Sequence, residues 1–179
     1  MIDLDAIETP TELDVLVAFT DLSNFARYAQ SCSARDLFDT VSSYYEIVGE
    51  LVADSGGKIV KFIGDTCLAV FPDDEVDRGV DALLAIKENG DAWLTQRNIP
   101  CRHAISAHFG RVVCGPVGTR SEKRFDLFGE TVNLAATLRS RGFAMTPQVF
   151  RKLQKEKRRL FKKHTPPTTY IPVGDSHRD

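Results

Sequence analysis

The order of elements in this sequence predicts an α+β fold, with helices packed on a mainly antiparallel sheet. Three observations carry that reading. Apolar, β-rich runs flank tight glycine turns, the mark of hairpins. Long segments between the hairpins carry apolar side chains at helical spacing. The first strand, Val15–Thr20, is a continuous apolar run suited to the middle of a sheet buried on both faces.

The whole chain is consistent with that class. Its 179 residues suffice for one domain with a proper core. An apolar content of 42% and a charged content of 27% are ordinary for a soluble globular protein. A net charge of −2 supplies no basic field for nucleic acid. No apolar run approaches the roughly 18–20 residues of a membrane span, and the acidic start has no signal-peptide pattern. Cys32, Cys67, Cys101 and Cys114 show no Cys-x-x-Cys spacing. Buried free thiols, and hence a cytoplasmic location, are expected. No local ligand pair suggests zinc.

Residues 1–13 read as an acidic lead-in, 14–174 as the domain and 175–179 as a tail. After the first strand, Asp21-Leu22-Ser23-Asn24-Phe25 turns the chain into a helix. Ser33 and Asp36 form a capping-box pattern that opens a second helix. There Leu37, Val41, Tyr44, Val48 and Leu51 make an apolar face, and Gly56-Gly57 ends it. A hairpin follows around Gly64-Asp65. The next helix starts at Pro72-Asp73-Asp74 and ends at Asn98-Ile99-Pro100. Cys101–Phe109 and Arg111–Pro116 read as a second hairpin turning at Gly110. A short strand, Phe125–Phe128, leads into a helix that runs to about Arg141. Gly142–Met145 is a further short strand. Thr146-Pro147 opens a basic helix, and Thr168–Val173 is a closing edge strand.

The chemistry centres on two carboxylates. Asp65 stands at the tip of the first hairpin and Asp21 at the end of the first strand. Each alone is an ordinary residue, a helix cap or a turn former. Together, on strands lying side by side, they can share divalent cations, which take one or two carboxylates plus substrate phosphates. The backbone from Leu22 to Phe25 runs to a helix start, where free amides attract phosphate.

Three ordered motifs resemble a known family. They are Ala18-Phe-Thr-Asp-Leu-Ser-Asn-Phe25, Gly56-Gly-Lys-Ile-Val-Lys-Phe-Ile-Gly-Asp65 with Leu68-Ala-Val-Phe71, and Phe125-Asp-Leu-Phe-Gly-Glu-Thr-Val-Asn-Leu-Ala135. The chain is similar, from about residue 14 to 173, to the class III nucleotidyl cyclase catalytic domains. The resemblance implies a ferredoxin-like sandwich that converts ATP to cyclic AMP and pyrophosphate. It implies two Mg²⁺ or Mn²⁺ ions per site, held by Asp21, Asp65 and the Leu22 carbonyl. Lys61 and Asp126 match the family's adenine-selecting pair, and Asn133 its ribose-positioning residue. Lys162 matches its triphosphate-binding lysine, with Arg158, Arg159 and Lys163 as alternatives. The basic run from Arg151 to Lys163 is more often a solvated helix face than a phosphate site. Phe25 falls on the substrate side of the first motif. The family draws its metal and base residues from opposite subunits, so a homodimer with composite sites is implied, with a fused or separate regulatory domain as a further partner.

The sequence departs from the family at Thr137, where arginine is usual, four residues after Asn133. Loss of one such charge-stabilising donor costs on the order of 10²–10³ in rate. Arg139 points about 200° away on a helix, whereas Arg141 shares the face of Asn133 if the helix continues. Arg141 is therefore the expected substitute. The rival reading is a cyclase-fold module that binds nucleotide or a partner without turnover. A guanylate cyclase is a third.

Overall fold

The structure is a computed structural model, and it describes residues 2–138 and 140–175. The chain runs β1 (Thr11–Ser23), α1 (Phe25–Ser31), α2 (Ala34–Asp54), β2 (Lys58–Ile63), β3 (Thr66–Pro72) and α3 (Val76–Gln96). It continues β4 (Arg102–Gly118), β5 (Lys123–Phe128), α4 (Glu130–Thr137), β6 (Phe143–Met145), α5 (Pro147–Lys152), α6 (Lys155–Arg158), β7 (Phe161–His164) and β8 (Thr169–Pro172). One sheet has the order β2-β3-β1-β4-β6-β8-β7, with β5 paired to β4. Its pairings are antiparallel apart from β4 with β6. This is the α+β sandwich that the element order predicts.

β1 lies at the centre because Val15–Ala18 bury both faces of the strand. Its even side chains, Leu16, Ala18 and Leu22, join the main core with Tyr44, Val48 and Val52 of α2 and Val80, Leu83 and Ile86 of α3. Its odd ones, Val15 and Val17, join a smaller core with Val112, Leu127 and Ala135. Each buried valine, leucine and isoleucine among them stabilises the fold by roughly 1.5–3 kcal/mol on leaving water. The start of α2 follows its sequence signal: the Ser33 hydroxyl accepts from the Asp36 amide at 3.1 Å and donates to its carboxylate at 2.6 Å. Past its end, Gly56 takes φ +76°, which a side chain would strain.

Several expectations change. Gly110 is not a turn, because β4 passes straight through it opposite Val15. A Cβ there would come within 2.6 Å of the Thr131 hydroxyl, so this glycine admits the start of α4 to the strand. Glycine inside an apolar run marks a close approach as readily as a turn. Residues 2–13 are tied down: β1 begins at Thr11, and a 3-10 turn at Leu4–Ala6 buries Leu4 against the smaller core. The helix carrying Asn133 stops at Thr137, with Leu138 extended. The basic C-terminal segment breaks into α5, α6 and strand β7, so β7 rather than the last strand forms the edge. Asp175 of the expected tail sits 3.4 Å from Lys87, and residues 176–179 lie outside the described residues.

Candidate active site

β1 outlasts β3. The β1–β3 ladder ends at Thr20 opposite Cys67, while β1 stays paired with β4 to Ser23. The space that β3 vacates is filled by the β2–β3 turn, and that places Asp65 beside Asp21. The Leu22 amide donates to Asp65 Oδ2 at 3.0 Å, and the Thr66 hydroxyl donates to Asp21 Oδ1 at 2.7 Å. Burial pushes the Asp65 carboxyl up to about 6; the Leu22 amide opposes this and the adjacent Asp21 carboxylate adds to it. Two acids so placed attract a compensating cation. Among the described residues no group of three or more His, Cys, Asp or Glu side chains is arranged to hold a metal ion. The fit is to a hard cation that uses two carboxylates and a carbonyl and leaves its remaining positions to water and phosphate. Backbone N–H and C=O of one strand residue point to the same edge, so the Leu22 carbonyl faces the side where its amide meets Asp65.

A residue that the sequence did not single out holds the turn. Tyr45 of α2 donates its hydroxyl to the Gly64 carbonyl at 2.6 Å, and its ring stacks on Phe62 with centroids 3.7 Å apart. An aromatic pair, Tyr44-Tyr45, in which one ring faces the core and the other the hairpin, was the available signal.

Lys61 and Asp126, distant in sequence, meet: Lys61 Nζ lies 2.6 Å from Asp126 Oδ2. They border a cleft of about 540 Å³ between β2 and β5. A donor and an acceptor thus stand side by side. Phe25 opens α1 with its ring packed on the main core, so it presents backbone rather than side chain.

The remaining expected residues lie elsewhere. Asn133 is on the exposed face of α4. Thr137 has its hydroxyl bonded back to the Asn133 carbonyl at 2.8 Å, a bond that competes with helix continuation. With the helix ended there, Arg141 does not share a face with Asn133. Arg141 instead borders a cleft of about 510 Å³ that also contains Asp21, Thr66 and Thr137. Arg139 lies outside the described residues. Lys162 is on β7 at the far sheet edge and donates to the Val173 carbonyl at 2.9 Å. Within one chain, then, Asp65 meets Asp21 and the Leu22 amide, and Lys61 meets Asp126 at a separate cleft, whereas Asn133 and Lys162 are not gathered around the acids.

A mainly antiparallel sheet thus carries paired acids at the end of its central strand and a lysine–aspartate pair between β2 and β5. The chain belongs to the adenylate and guanylate cyclase catalytic domain family, whose pattern it matches over residues 7–165. It is 25% identical over 130 residues to an adenylate cyclase of Anabaena cylindrica, covering 68% of this chain and 26% of that protein. It is 31% identical over 133 residues to a membrane guanylyl cyclase of Dictyostelium discoideum, covering 71% of this chain and 9% of that protein. The fold is shared with the adenylyl cyclase CyaB of P. aeruginosa, at a TM-score of 0.81 and 18% identity, over 96% of this chain and 98% of that one. The chain spans about a quarter or less of the first curated relatives. Among the described residues, no helix is long and apolar enough to cross a membrane.

Proposed function

We propose that this domain is an adenylate cyclase that closes ATP to 3′,5′-cyclic AMP and pyrophosphate in a site shared by two copies. The observation that carries the reading is the convergence of Asp21, Asp65 and the Leu22 backbone at one strand end. Bound Mg²⁺ or Mn²⁺ would supply acidification of the ribose hydroxyl and charge neutralisation on the departing pyrophosphate. Asp21, Asp65 and the Leu22 carbonyl would hold those ions. The 3′-oxygen bonds to the α-phosphorus, the bond from that phosphorus to the bridging oxygen breaks, and the hydroxyl proton leaves to solvent.

Lys61 of the second copy donates to the adenine ring and Asp126 of that copy accepts from the exocyclic amine; guanine presents an acceptor where adenine presents that donor. The amide at Phe25 faces phosphate. Asn133 of the second copy orients the ribose, and Lys162 of that copy meets the triphosphate. That division accounts for Asn133 and Lys162 standing apart from the acids of their own chain. Arg141 borders the cleft of its own Asp21, so we place it on the phosphate side of its own chain's acids.

Thr137 favours a second reading, a nucleotide-binding module without turnover, because its hydroxyl is engaged by its own helix and it carries no charge. One experiment separates the readings. Purified chain is given ATP or GTP with Mg²⁺ or Mn²⁺ across a range of protein concentrations, with nucleotide binding measured in parallel. Cyclic AMP formed with a more than linear dependence on protein concentration supports the shared-site cyclase. Binding without product supports the module, and preferential cyclic GMP supports a guanylate cyclase.

A further inference from the structure

Behind the acid pair lies a buried polar arrangement that the reaction does not explain. His103 is 2% exposed and stands opposite Leu22 in the β1–β4 register. Its backbone amide and its ring Nδ1 both meet Asp91 Oδ1 of α3, each at 2.9 Å. Nδ1 therefore carries the proton, and Nε2 is left buried with no hydrogen-bond partner among the described residues. The ring packs on Tyr44 with centroids 5.7 Å apart, and the Tyr44 hydroxyl lies 3.3 Å from the Thr20 hydroxyl, one residue before Asp21. Gly90 makes room: a Cβ there would come within 2.4 Å of the imidazole Cε1. The His103 bonds outweigh burial and hold the Asp91 carboxyl below its usual range.

An apolar side chain would fill this space without stranding a nitrogen, so packing alone does not account for a histidine here. What the pair does accomplish is an anchor. Beyond Thr20, among the described residues, β1 is paired with β4 alone, through Ala104, His103 and Arg102 opposite Asp21, Leu22 and Ser23. The position of Leu22 is thus inherited from the first residues of β4, and these are held to α3 by Asp91.

We propose that His103 and Asp91 are positioning residues for the divalent-cation centre: their clamp on β4 sets the Leu22 backbone that meets Asp65. This rests on the two-acid reading above. Outer residues that orient metal ligands typically change metal affinity by about 10–100-fold when lost.

The test is Mn²⁺ binding by the whole chain, followed by electron paramagnetic resonance well below the melting temperature, together with hydrogen exchange of the Leu22 amide without metal. Asp91→Ala and His103→Val are expected to weaken Mn²⁺ by about 10–100-fold and to speed Leu22 exchange. Asp91→Asn retains an acceptor, and His103→Asn retains a side-chain donor; both should stay within a few-fold of wild type. His103→Val strands no polar group on the strand, so it keeps the test available should Asp91→Ala not fold. Folded Asp91→Ala or His103→Val protein with wild-type Mn²⁺ affinity and wild-type Leu22 exchange overturns the inference alone. A wild-type chain that takes up no Mn²⁺ overturns both it and the two-acid reading.

Discussion

The acid end of the sheet and the helix bearing Asn133 are built in opposite ways. Around Asp21 and Asp65, polar groups are tied across elements: Thr66 to Asp21, the Leu22 amide to Asp65, Tyr45 of α2 to Gly64, and Asp91 of α3 to His103. On α4, eight residues long, Asn133 and Thr137 are exposed and the Thr137 hydroxyl is spent on its own helix. The comparison teaches that one half of the site is preorganised by its own chain. On the shared-site reading proposed above, the other half offers a face for a second copy to complete. Preorganisation matters most where charge must be held against burial.

The largest effect should come from the organised half. Asp65→Asn is expected to abolish Mn²⁺ binding and to lower turnover by more than the roughly 10–100-fold typical of outer residues, measured by metal titration and product formation. Unchanged turnover would break the comparison at its stronger end. Thr137→Arg tests the other half by repair. It should raise cyclic AMP production by about 10²-fold, the value of one charge-stabilising donor. If the rate is unmoved, charge is already supplied at that point. Arg141→Ala then asks whether Arg141 supplies it, and a several-fold loss is expected if it does.

Smaller effects sharpen the picture. The Asp65 carboxyl is raised from 3.8 to about 6 in the fold, so the folded chain binds that proton more tightly than the unfolded chain. Its stabilising contribution is fully present below about pH 4, is lost as pH rises to about 6, and is constant above that. Melting temperatures of wild type and Asp65→Asn should therefore diverge between those pH values without metal. The smallest expected change is Tyr45→Phe, which keeps the stack on Phe62 and removes the bond to Gly64. It should cost about 1 kcal/mol of stability by denaturant melts and weaken Mn²⁺ by only a few-fold.

Much of the fold was legible because its signals are local. Val15–Ala18 announce a central strand by an unbroken apolar run, Ser33 and Asp36 announce a helix start, and Gly64-Asp65 announces a turn. The errors arose where a local signal has two physical causes. Gly110 serves either a turn or a close approach, and the decision lay with Thr131, twenty-one residues away. Helix α4 was read too long because the Thr137 bond to Asn133 is invisible to periodicity. Lys162 read as helical because edge strand β7 is too short to show alternation. Tyr45, Asp91 and His103 were missed because their partners are remote in the chain.

The sequence by itself pointed to Asp21, Asp65, Lys61 and Asp126 and to the strands that carry them, since each signal depends on side-chain type and near-neighbour spacing. The tertiary structure alone decided that β1 outruns β3, and so that Asp65 reaches the Leu22 amide and Asp21. That outcome depends on the register between strands far apart in the chain, which is set by packing the whole sheet against α2 and α3 rather than by any local run of residues.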